Sequence, residues 1–231
     1  MSSFASSLLP TRLRKFASVS RILKHSYERD QRMKQLYPIE LQTKHLENLR
    51  VVASRVEMLE AMPKGLVCAE VGVAQGEFSR QILDTMQPTH LHLIDLWHPD
   101  SRRYAESMRP ALDLTRAEID AGIVEVRRGY SWEQLASLED ESLDWVYIDA
   151  AHDYESVTKD LASVLPKMRK DGFICGHDYT RWSSKGIHRW GVVEAVNEFC
   201  LTHNWAIRFL THEAHRHISY ALTRIPSSAS E

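Results

Sequence analysis

This chain has few cysteines, little net charge and no long apolar runs. Its 231 residues include three cysteines, Cys68, Cys175 and Cys200, with neither the number nor the spacing of a disulfide framework or a zinc site. No apolar run approaches the roughly 20 residues of a membrane span. The formal net charge of -2 gives no reason to expect nucleic-acid binding. We therefore expect a cytoplasmic protein in a reducing compartment, without a transmembrane segment.

The composition is otherwise that of an ordinary globular protein with a basic N-terminal stretch. The chain is 43% hydrophobic, and we divide it into an N-terminal helical extension, 1-63, and a main domain, 64-231. Residues 1–27 are Ser-rich, contain no acid, and carry five basic residues: Arg12, Arg14, Lys15, Arg21 and Lys24. This composition resembles an organelle presequence. The other interpretation is a basic amphipathic helix that docks on the domain, a partner or a membrane surface.

Two helices are predicted in the N-terminal extension, over residues 11–34 and 40–62. Apolar residues of the second recur on one face, at Leu41, Leu46, Leu49, Val52, Val56 and Leu59. Amphipathic appendages commonly bury such faces on a partner, so a homo-oligomer formed through these helices is one expectation.

Strands and helices alternate in the main domain. Apolar runs predict strands at 66–71, 91–94, 124–127, 145–148, 173–175, 206–210 and 218–223, the last two joined as a hairpin. Helices are predicted between them at 77–86, 104–121, 154–170 and 192–202. This alternation is typical of an α/β fold with a doubly wound sheet.

The most informative stretch is the strand–helix–strand unit at 143–179. Its strands end on two polar clusters, Asp149-Ala-Ala-His152 and Gly176-His177-Asp178-Tyr179. A right-handed crossover lays such strands parallel, and open parallel sheets bind ligands beyond the carboxyl ends of their strands. We therefore expect the aspartates and histidines of both clusters in one cleft.

A glycine turn follows the first strand of the main domain, in the sequence Glu70-Val-Gly72-Val-Ala-Gln-Gly76. Glycine lets a backbone turn tightly and approach a ligand, and Asp95 at the next strand end can hold both ribose hydroxyls. The spacing is not the G-x-G-x-x-G of dinucleotide binders, and Glu70 would oppose a phosphate. A nucleoside with a cationic amino group, S-adenosylmethionine, suits both acids. The alternative is a tight turn that binds no ligand.

A short aromatic segment, Tyr130-Ser131-Trp132, follows the third of these strands. Ser131 and Trp132 are candidates for framing the adenine of the cofactor. The alternative is a helix start capped by Ser131.

Four motifs together resemble class I S-adenosylmethionine-dependent methyltransferases: AEVGVAQGEFS, HLIDLW, YIDAAHDYESVTKDL and GFICGHDY. Over residues 64–224 the chain is similar to the branch that includes macrolide-sugar O-methyltransferases and cephalosporin-hydroxylase-like proteins. The resemblance implies a Rossmann-like seven-stranded sheet with its last strand antiparallel. It also implies S-adenosylmethionine as the cofactor.

The resemblance also implies roles for the polar clusters. In metal-dependent sugar methyltransferases of this branch, the strand-end acid matches Asp149, and the histidine proposed as general base matches His152. Their paired acidic ligands match His177 and Asp178, so histidine replaces one carboxylate here. Asp149, His177 and Asp178 are thus candidate ligands of Mg²⁺ or Mn²⁺, and a cation of this kind lowers the pKa of a bound hydroxyl.

Each of these residues also has an interpretation without a ligand. Asp149 could cap the next helix, His152 could be a surface residue in its first turn, and His177 with Asp178 could form a loop network. Histidine is nevertheless suited to accept the hydroxyl proton during methyl transfer. The convergence of all four at adjacent strand ends favours a site.

The loop after the second cluster should cover the site. Tyr179, Arg181, Trp182 and His188 are candidate substrate contacts, because tryptophans stack on sugar rings and basic groups hold anions. The alternative is a solvated lid whose tryptophans pack on the core. His212, His215 and His217 are interpreted as a surface turn far from the two clusters.

The sequence therefore predicts an S-adenosylmethionine-dependent O-methyltransferase acting on a small-molecule hydroxyl, with a sugar or glycosylated metabolite as the expected acceptor. Two other hypotheses are a hydroxylase-like oxidoreductase of the same branch and a non-catalytic nucleoside-binding protein with the same fold.

Overall fold

A mixed eight-stranded sheet organises the fold. The computed structural model describes residues 24, 27, 39–98, 102–183, 189–214 and 217–226, with only the backbone of 102–105. The strands are β1 Arg50–Val52, β2 Val67–Val71, β3 His90–Asp95, β4 Val124–Arg128, β5 Leu143–Ile148, β6 Met168–Gly176, β7 Trp205–Thr211 and β8 Tyr220–Arg224. The predicted helix over 11–34 lies outside the described residues, apart from two isolated positions.

The strand order is β1-β7-β8-β6-β5-β2-β3-β4. β8 runs antiparallel to its neighbours β6 and β7, and the other neighbouring pairs are parallel. The described helices are α1 Arg55–Glu60, α2 Glu77–Met86, α3 Arg102–Leu114, α4 Arg116–Asp120, α5 Ser131–Ala136, α6 Tyr154–Val164 and α7 Val192–His203. The α/β prediction, with its closing antiparallel strand, is confirmed. Seven strands form the expected sheet, and β1 adds an eighth at its edge.

The core has one layer on each face of this sheet, because side chains alternate along a strand. Val146 and Ile148 of β5 join one cluster with helices α5, α6 and α7. Trp145 and Tyr147 join the other cluster with helices α1 and α2. The central strands are covered on both faces, which explains their nearly continuous apolar runs.

The predicted helix over 40–62 is wrong. That segment contains a short 3-10 turn at Thr43–His45, then β1, then α1. The β-branched pair Val51-Val52 lies in β1, which pairs in parallel with β7. Pairing with an open sheet edge outweighs an apolar helical pattern. The boundary at residue 63 stays a prediction, although β1 precedes it and belongs to the sheet.

Two other predicted helices are shorter than expected. The helix over 104–121 is interrupted at Thr115, whose hydroxyl donates to the carbonyl of Ala111 (2.9 Å). The helix over 154–170 ends at Val164, because Pro166 lacks an amide hydrogen and stands in a 3-10 turn. Met168 consequently begins β6. Within the described ranges, no helix is long and apolar enough to cross a membrane.

Candidate active site

A cleft of about 790 Å³ opens at the carboxyl ends of β2, β3, β4 and β5. Of the predicted site residues, Gly72, Asp95, Ser131, Trp132, Asp149 and His152 line it. Residues that the sequence did not single out also line it, among them Trp97. The parallel strand ends thus gather the cofactor motif and the first polar cluster, as the topology requires.

The glycine turn is shaped by contacts that leave no room for side chains. Gly72 has φ +90°, and an added Cβ would overlap the carbonyl group of Asp149. Gly76 has φ +82°, and its Cβ would lie 2.8 Å from the Cα of Ala111. Both positions lie in the left-handed region that glycine tolerates. Gly72 therefore joins the turn directly to the strand end that carries Asp149.

Asp95 holds the turn in place. The backbone N–H groups of Val73 and Ala74 each donate to its Oδ2 at 2.9 Å, and that of Trp97 donates to Oδ1 at 2.8 Å. The indole Nε1 of Trp97 also donates to the carbonyl of Ala74 (3.0 Å). A carboxylate oxygen can accept two hydrogen bonds and Oδ1 accepts only that of Trp97, so Asp95 retains capacity for a ribose hydroxyl.

Glu70 lies beneath the turn and does not line the cleft. Its side chain is buried, and the hydroxyl of Ser79 donates to it in a short hydrogen bond. Burial raises the pKa of Glu70 to about 8, against the opposing effect of this hydrogen bond. The carboxyl is therefore mainly protonated near pH 7. It supports the turn from below rather than presenting a negative charge to a ligand.

The aromatic segment forms one wall of the cleft. The rings of Tyr130 and Trp132 stack with centroids 4.8 Å apart at 17°, and Tyr130 is 45% exposed. Helix α5 begins at Ser131, but Tyr130 is its N-cap and no side chain caps it. Ser131 is therefore not the helix cap that one interpretation assigned. The exposed stacked rings suit a flat ligand such as adenine.

The two polar clusters come together at the ends of β5 and β6. His152 Nε2 lies 2.5 Å from Asp178 Oδ2, and His177 Nδ1 lies 3.0 Å from Asp178 Oδ1. His177 Nδ1 is also 3.9 Å from Asp149 Oδ2. Asp178 adopts φ +61°, a conformation that Asp tolerates better than most residues. Its carboxylate is thus held between two imidazoles.

The ionisation of this group follows from its burial and hydrogen bonds. Burial alone would raise the pKa of Asp178, but the hydrogen bonds with His152 and His177 lower it well below its usual range. Burial opposes protonation of His177, yet its contacts with Asp178 and Asp149 raise its pKa. Burial raises the pKa of Asp149 despite His177. Asp178 is therefore a stable anion, shared between two histidines.

His152 is accessible and firmly oriented. Its side chain is 33% exposed, and its ring stacks on Trp190 with centroids 4.5 Å apart at 18°. Its carbonyl accepts the N–H of Gly191 (2.8 Å). The N-cap of α6 is Asp153, whose side chain accepts from the N–H of Ser156 (3.0 Å). His152 therefore precedes the helix, and Asp149 does not cap it.

The candidate substrate residues are dispersed. The hydroxyl of Tyr179 donates to Asn197 Oδ1 (2.6 Å), and Arg181 Nε donates to Glu194 Oε1 (2.9 Å), so both side chains contact α7. Trp182 is 45% exposed, with the Arg189 guanidinium 4.9 Å from its ring centroid. The prediction for His188 lies outside the described residues. Trp182 is therefore the substrate candidate with a large exposed face.

One histidine of the predicted surface turn belongs next to the site. The ring of His217 lies 4.8 Å from that of Trp190 and 6.4 Å from that of His177, both edge-on. The interpretation that placed it far from the clusters is wrong. β8 pairs antiparallel with β6, so the segment that leads into β8 lies at the end of β6 that carries the second polar cluster. His212 is exposed, and His215 lies outside the described residues.

Comparison with known proteins agrees with this geometry. The family model described as a methyltransferase domain matches residues 69–179, from the glycine turn to the end of the second polar cluster. This match covers just under half of the chain and, together with the fold, supports an S-adenosylmethionine-dependent methyltransferase. No curated protein sequence matches the chain. Membership of the narrower macrolide-sugar branch stays a prediction.

Solved structures at low identity share the fold of this methyltransferase. The pyocyanin biosynthetic protein PhzM is 15% identical, with TM-score 0.55 over 74% of this chain and 54% of that chain. A SAM dependent methyltransferase from Aquifex aeolicus is 12% identical, with TM-score 0.54 over 84% of this chain and 96% of that one. Precorrin-6y C5,15-methyltransferase from Geobacter metallireducens GS-15 is 15% identical, with TM-score 0.52 over 73% and 84%. This chain thus spans about half of PhzM.

Sequence reasoning missed Arg55, which lies outside the matched range of the methyltransferase. It is the first residue of α1 and only 8% exposed, with its guanidinium 4.1 Å from the ring centroid of Phe78. Its charge partly offsets the burial that raises the pKa of Glu70 and Asp149. The misassigned helix over 40–62 concealed it, because only the pairing of β1 with β7 brings α1 to the site.

Proposed function

We propose that this methyltransferase transfers a methyl group to a hydroxyl of a small molecule, with a sugar or glycosylated metabolite as the acceptor. The observation that carries the proposal is the close contact between His152, which lines the cleft, and Asp178. An aliphatic hydroxyl must lose its proton as it is methylated, and an oriented histidine is suited to accept it. The cleft therefore supplies the proton acceptor that O-methylation of an aliphatic hydroxyl requires.

The residues around the glycine turn fit S-adenosylmethionine. The volume of about 790 Å³ suits a nucleoside cofactor with an acceptor beside it. Gly72 leaves an open backbone beside Asp149, Asp95 keeps acceptor capacity for ribose, and Tyr130 with Trp132 presents an aromatic wall. When bound, the cofactor supplies a methyl group activated by a sulfonium. Glu70 contributes by fixing the turn.

His152 and Asp178 would manage the proton. With Nε2 of His152 donating to Asp178, Nδ1 is the ring nitrogen that carries a lone pair. The acceptor hydroxyl would donate to Nδ1 and pass its proton there on methylation, while the bond between the methyl carbon and the sulfonium sulfur breaks and S-adenosylhomocysteine is left. The resulting imidazolium is stabilised by the anionic Asp178. Trp190 keeps the ring from rotating through stacking.

The side chains around Asp178 are also suited to binding a divalent cation. Asp149, His152 and Asp178 each offer a ligand atom, and these atoms lie within 4.8 Å of one another. Mg²⁺ or Mn²⁺ held by the two carboxylates would lower the pKa of an acceptor hydroxyl. His177, predicted as a ligand, has its Nδ1 directed at Asp178, so its protonated form competes with a cation for this carboxylate.

Aromatic side chains support a sugar acceptor. Trp190 stacks behind His152, and the exposed Trp182 lies on the strand-like segment that pairs with Arg189. Indole rings bind the apolar faces of sugars while leaving hydroxyls free for polar contacts. The acceptor class rests on this support and on the sequence resemblance to sugar methyltransferases.

The test couples calorimetry to a turnover screen. Binding of S-adenosylmethionine would be titrated with magnesium, with manganese and with chelator, and methyl transfer would be followed as S-adenosylhomocysteine release on a panel of sugars, glycosides and phenols. We expect micromolar binding and turnover on hydroxyl-bearing sugars. Binding with turnover only on amines or thiols would contradict the proposed acceptor. Binding without turnover on any acceptor would favour a non-catalytic role.

A further inference from the structure

A second group of metal-ligating side chains lies at the opposite end of the sheet from the cleft. His90 and His92 open β3, and Glu125 lies on the edge strand β4, directly paired with His92. Residues two apart on a strand share a face, so both imidazoles point to the same side as Glu125. The cleft, by contrast, is lined by Ile94 and Asp95, where β3 ends. The two groups are therefore separate.

The three side chains converge on a small volume. Glu125 Oε2 lies 2.9 Å from His92 Nδ1 and 3.6 Å from His90 Nε2. The two imidazole rings meet edge-on, with centroids 4.5 Å apart. One ligand atom from each residue lies within 4.8 Å of the other two. Two nitrogens and one oxygen thus face a common point between the strands.

The environment of the His92 side chain is the strongest indication that a cation binds at this point. The residue is 8% exposed, and its Nδ1 is buried without a hydrogen bond of acceptable geometry, although Glu125 Oε2 lies nearby. A buried nitrogen left unsatisfied beside a carboxylate is costly unless a further group joins them.

Arg127 orients the carboxylate of Glu125 through only one of its two oxygens. Its Nη2 lies 3.1 Å from Glu125 Oε1, and its Nη1 donates to the hydroxyl of Ser137 (3.1 Å). The other carboxylate oxygen, Oε2, is the one directed at both histidines. Outer contacts of this kind orient metal ligands and are typical of protein metal sites.

We propose that His90, His92 and Glu125 form a zinc-type metal site that joins β3 to the edge strand β4. Two imidazoles and one carboxylate match the donors that Zn²⁺ prefers, at a site that leaves a fourth position open to water. The site does not depend on the proposed methyl transfer. It fastens the edge strand β4 to its neighbour β3, which carries Asp95 at its other end.

The test uses full-length protein freed of any affinity tag and stripped with chelator. Zn²⁺ would be titrated by calorimetry, and Co²⁺ would be added as a visible spectroscopic probe of coordination. We expect one site with these ligands, lost in His92→Ala and weakened about 10- to 100-fold in Glu125→Gln, at least the loss typical of supporting groups. Glu125→Gln keeps the shape of the side chain, so it separates lost ligation from lost folding.

Two controls decide where the metal binds. His212→Ala removes an exposed histidine elsewhere and should leave zinc affinity unchanged. Asp178→Asn removes a carboxylate from the other group that could hold a cation, Asp149, His152 and Asp178, and should leave zinc binding at the sheet edge unchanged. Saturating Zn²⁺ should also raise the melting temperature of the wild type but not of Glu125→Gln. Equal zinc binding by wild type and Glu125→Gln, or no binding by the wild type, would overturn the proposal.

Discussion

The two halves of the cleft are built by different means. The cofactor half, at β2 and β3, is shaped by the backbone: glycine at Gly72 and N–H groups donated to Asp95. The acceptor half begins at Asp149 and His152, which line the cleft, and continues into a small adjoining pocket lined by His177 and Asp178. It is shaped by ionisable side chains whose pKa values depend on one another. Shape dominates the first half and charge the second.

This difference predicts how each half responds to change. A backbone cradle tolerates neither added volume nor altered φ. A coupled group of acids and histidines keeps its shape after isosteric substitution but loses its proton balance. The two halves meet at one contact, where the α-carbon of Gly72 faces the carbonyl of Asp149. The variants below separate them.

The largest effect is expected for His152→Ala. Loss of the proton acceptor should lower kcat for methylation of a hydroxyl acceptor by about 10²- to 10⁴-fold, the usual contribution of a general base. The cofactor half does not depend on this imidazole, so the Kd for S-adenosylmethionine should stay within about twofold. Steady-state kinetics and calorimetry measure the two quantities. An equal loss of affinity and turnover would show that His152 shapes the pocket instead.

Glu70→Gln should change stability with pH rather than the shape of the turn. Burial raises the pKa of Glu70 from 4.5 to about 8, so between these values the unfolded chain has released a proton that the folded chain retains. This group's contribution is therefore fully present below pH 4.5 and is lost as pH rises toward 8, by about 1.4 kcal/mol per pH unit.

Glutamine mimics the protonated acid and still accepts from Ser79. The free energy of unfolding, measured with urea at pH 5 and pH 8, should therefore fall less in Glu70→Gln than in the wild type. Glu133→Gln, at an exposed position of α5, is the matched control and should retain the wild-type difference. The same pH dependence in Glu70→Gln and the wild type would show that Glu70 is ionised in the fold.

Gly72→Ala should damage both halves because it lies at their junction. Gly65 is the matched control: it has φ +70°, but no heavy atom lies within 4 Å of an added Cβ. Gly65→Ala therefore measures backbone strain alone, about 1 kcal/mol. Gly72→Ala adds the overlap with Asp149 and should cost about 1–3 kcal/mol more in unfolding free energy, with loss of cofactor affinity. Equal melting temperatures of the two variants would exclude this contact.

The smallest effect is expected for Tyr130→Ala. The ring is exposed and stacks on Trp132, so its loss should remove about 0.5–1.5 kcal/mol of aromatic contact with the cofactor. This corresponds to a Kd for S-adenosylmethionine raised about 2- to 13-fold, with kcat nearly unchanged. A decrease in kcat at saturating cofactor would instead connect this wall to the acceptor half.

The sequence predicted those features that depend on local pattern. The apolar runs of β2, β3 and β5, and the polar residues just after them, placed Asp95, Asp149 and His152 correctly at strand ends. Parallel topology then required them to share one edge of the sheet. The convergence of His152 with Asp178 could be expected for the same reason, although their 2.5 Å contact could not.

The features that the sequence did not predict depend on long-range pairing. Helical periodicity over 40–62 hid β1, because the gain from pairing with β7 is invisible in the local pattern. Arg55 and His217 reach the site only through such pairings, from the two ends of the described chain. Glu70 is likewise protonated because its side chain is fully buried, and a sequence motif does not reveal burial.

The position of β8 has a consequence for how the molecule is made. It inserts between β6 and β7, although it comes after both in the chain. While the chain is being synthesised, both strands therefore expose an unpaired edge until residues 220–224 emerge, and such edges pair readily with other chains. The half that carries Asp178 is completed last.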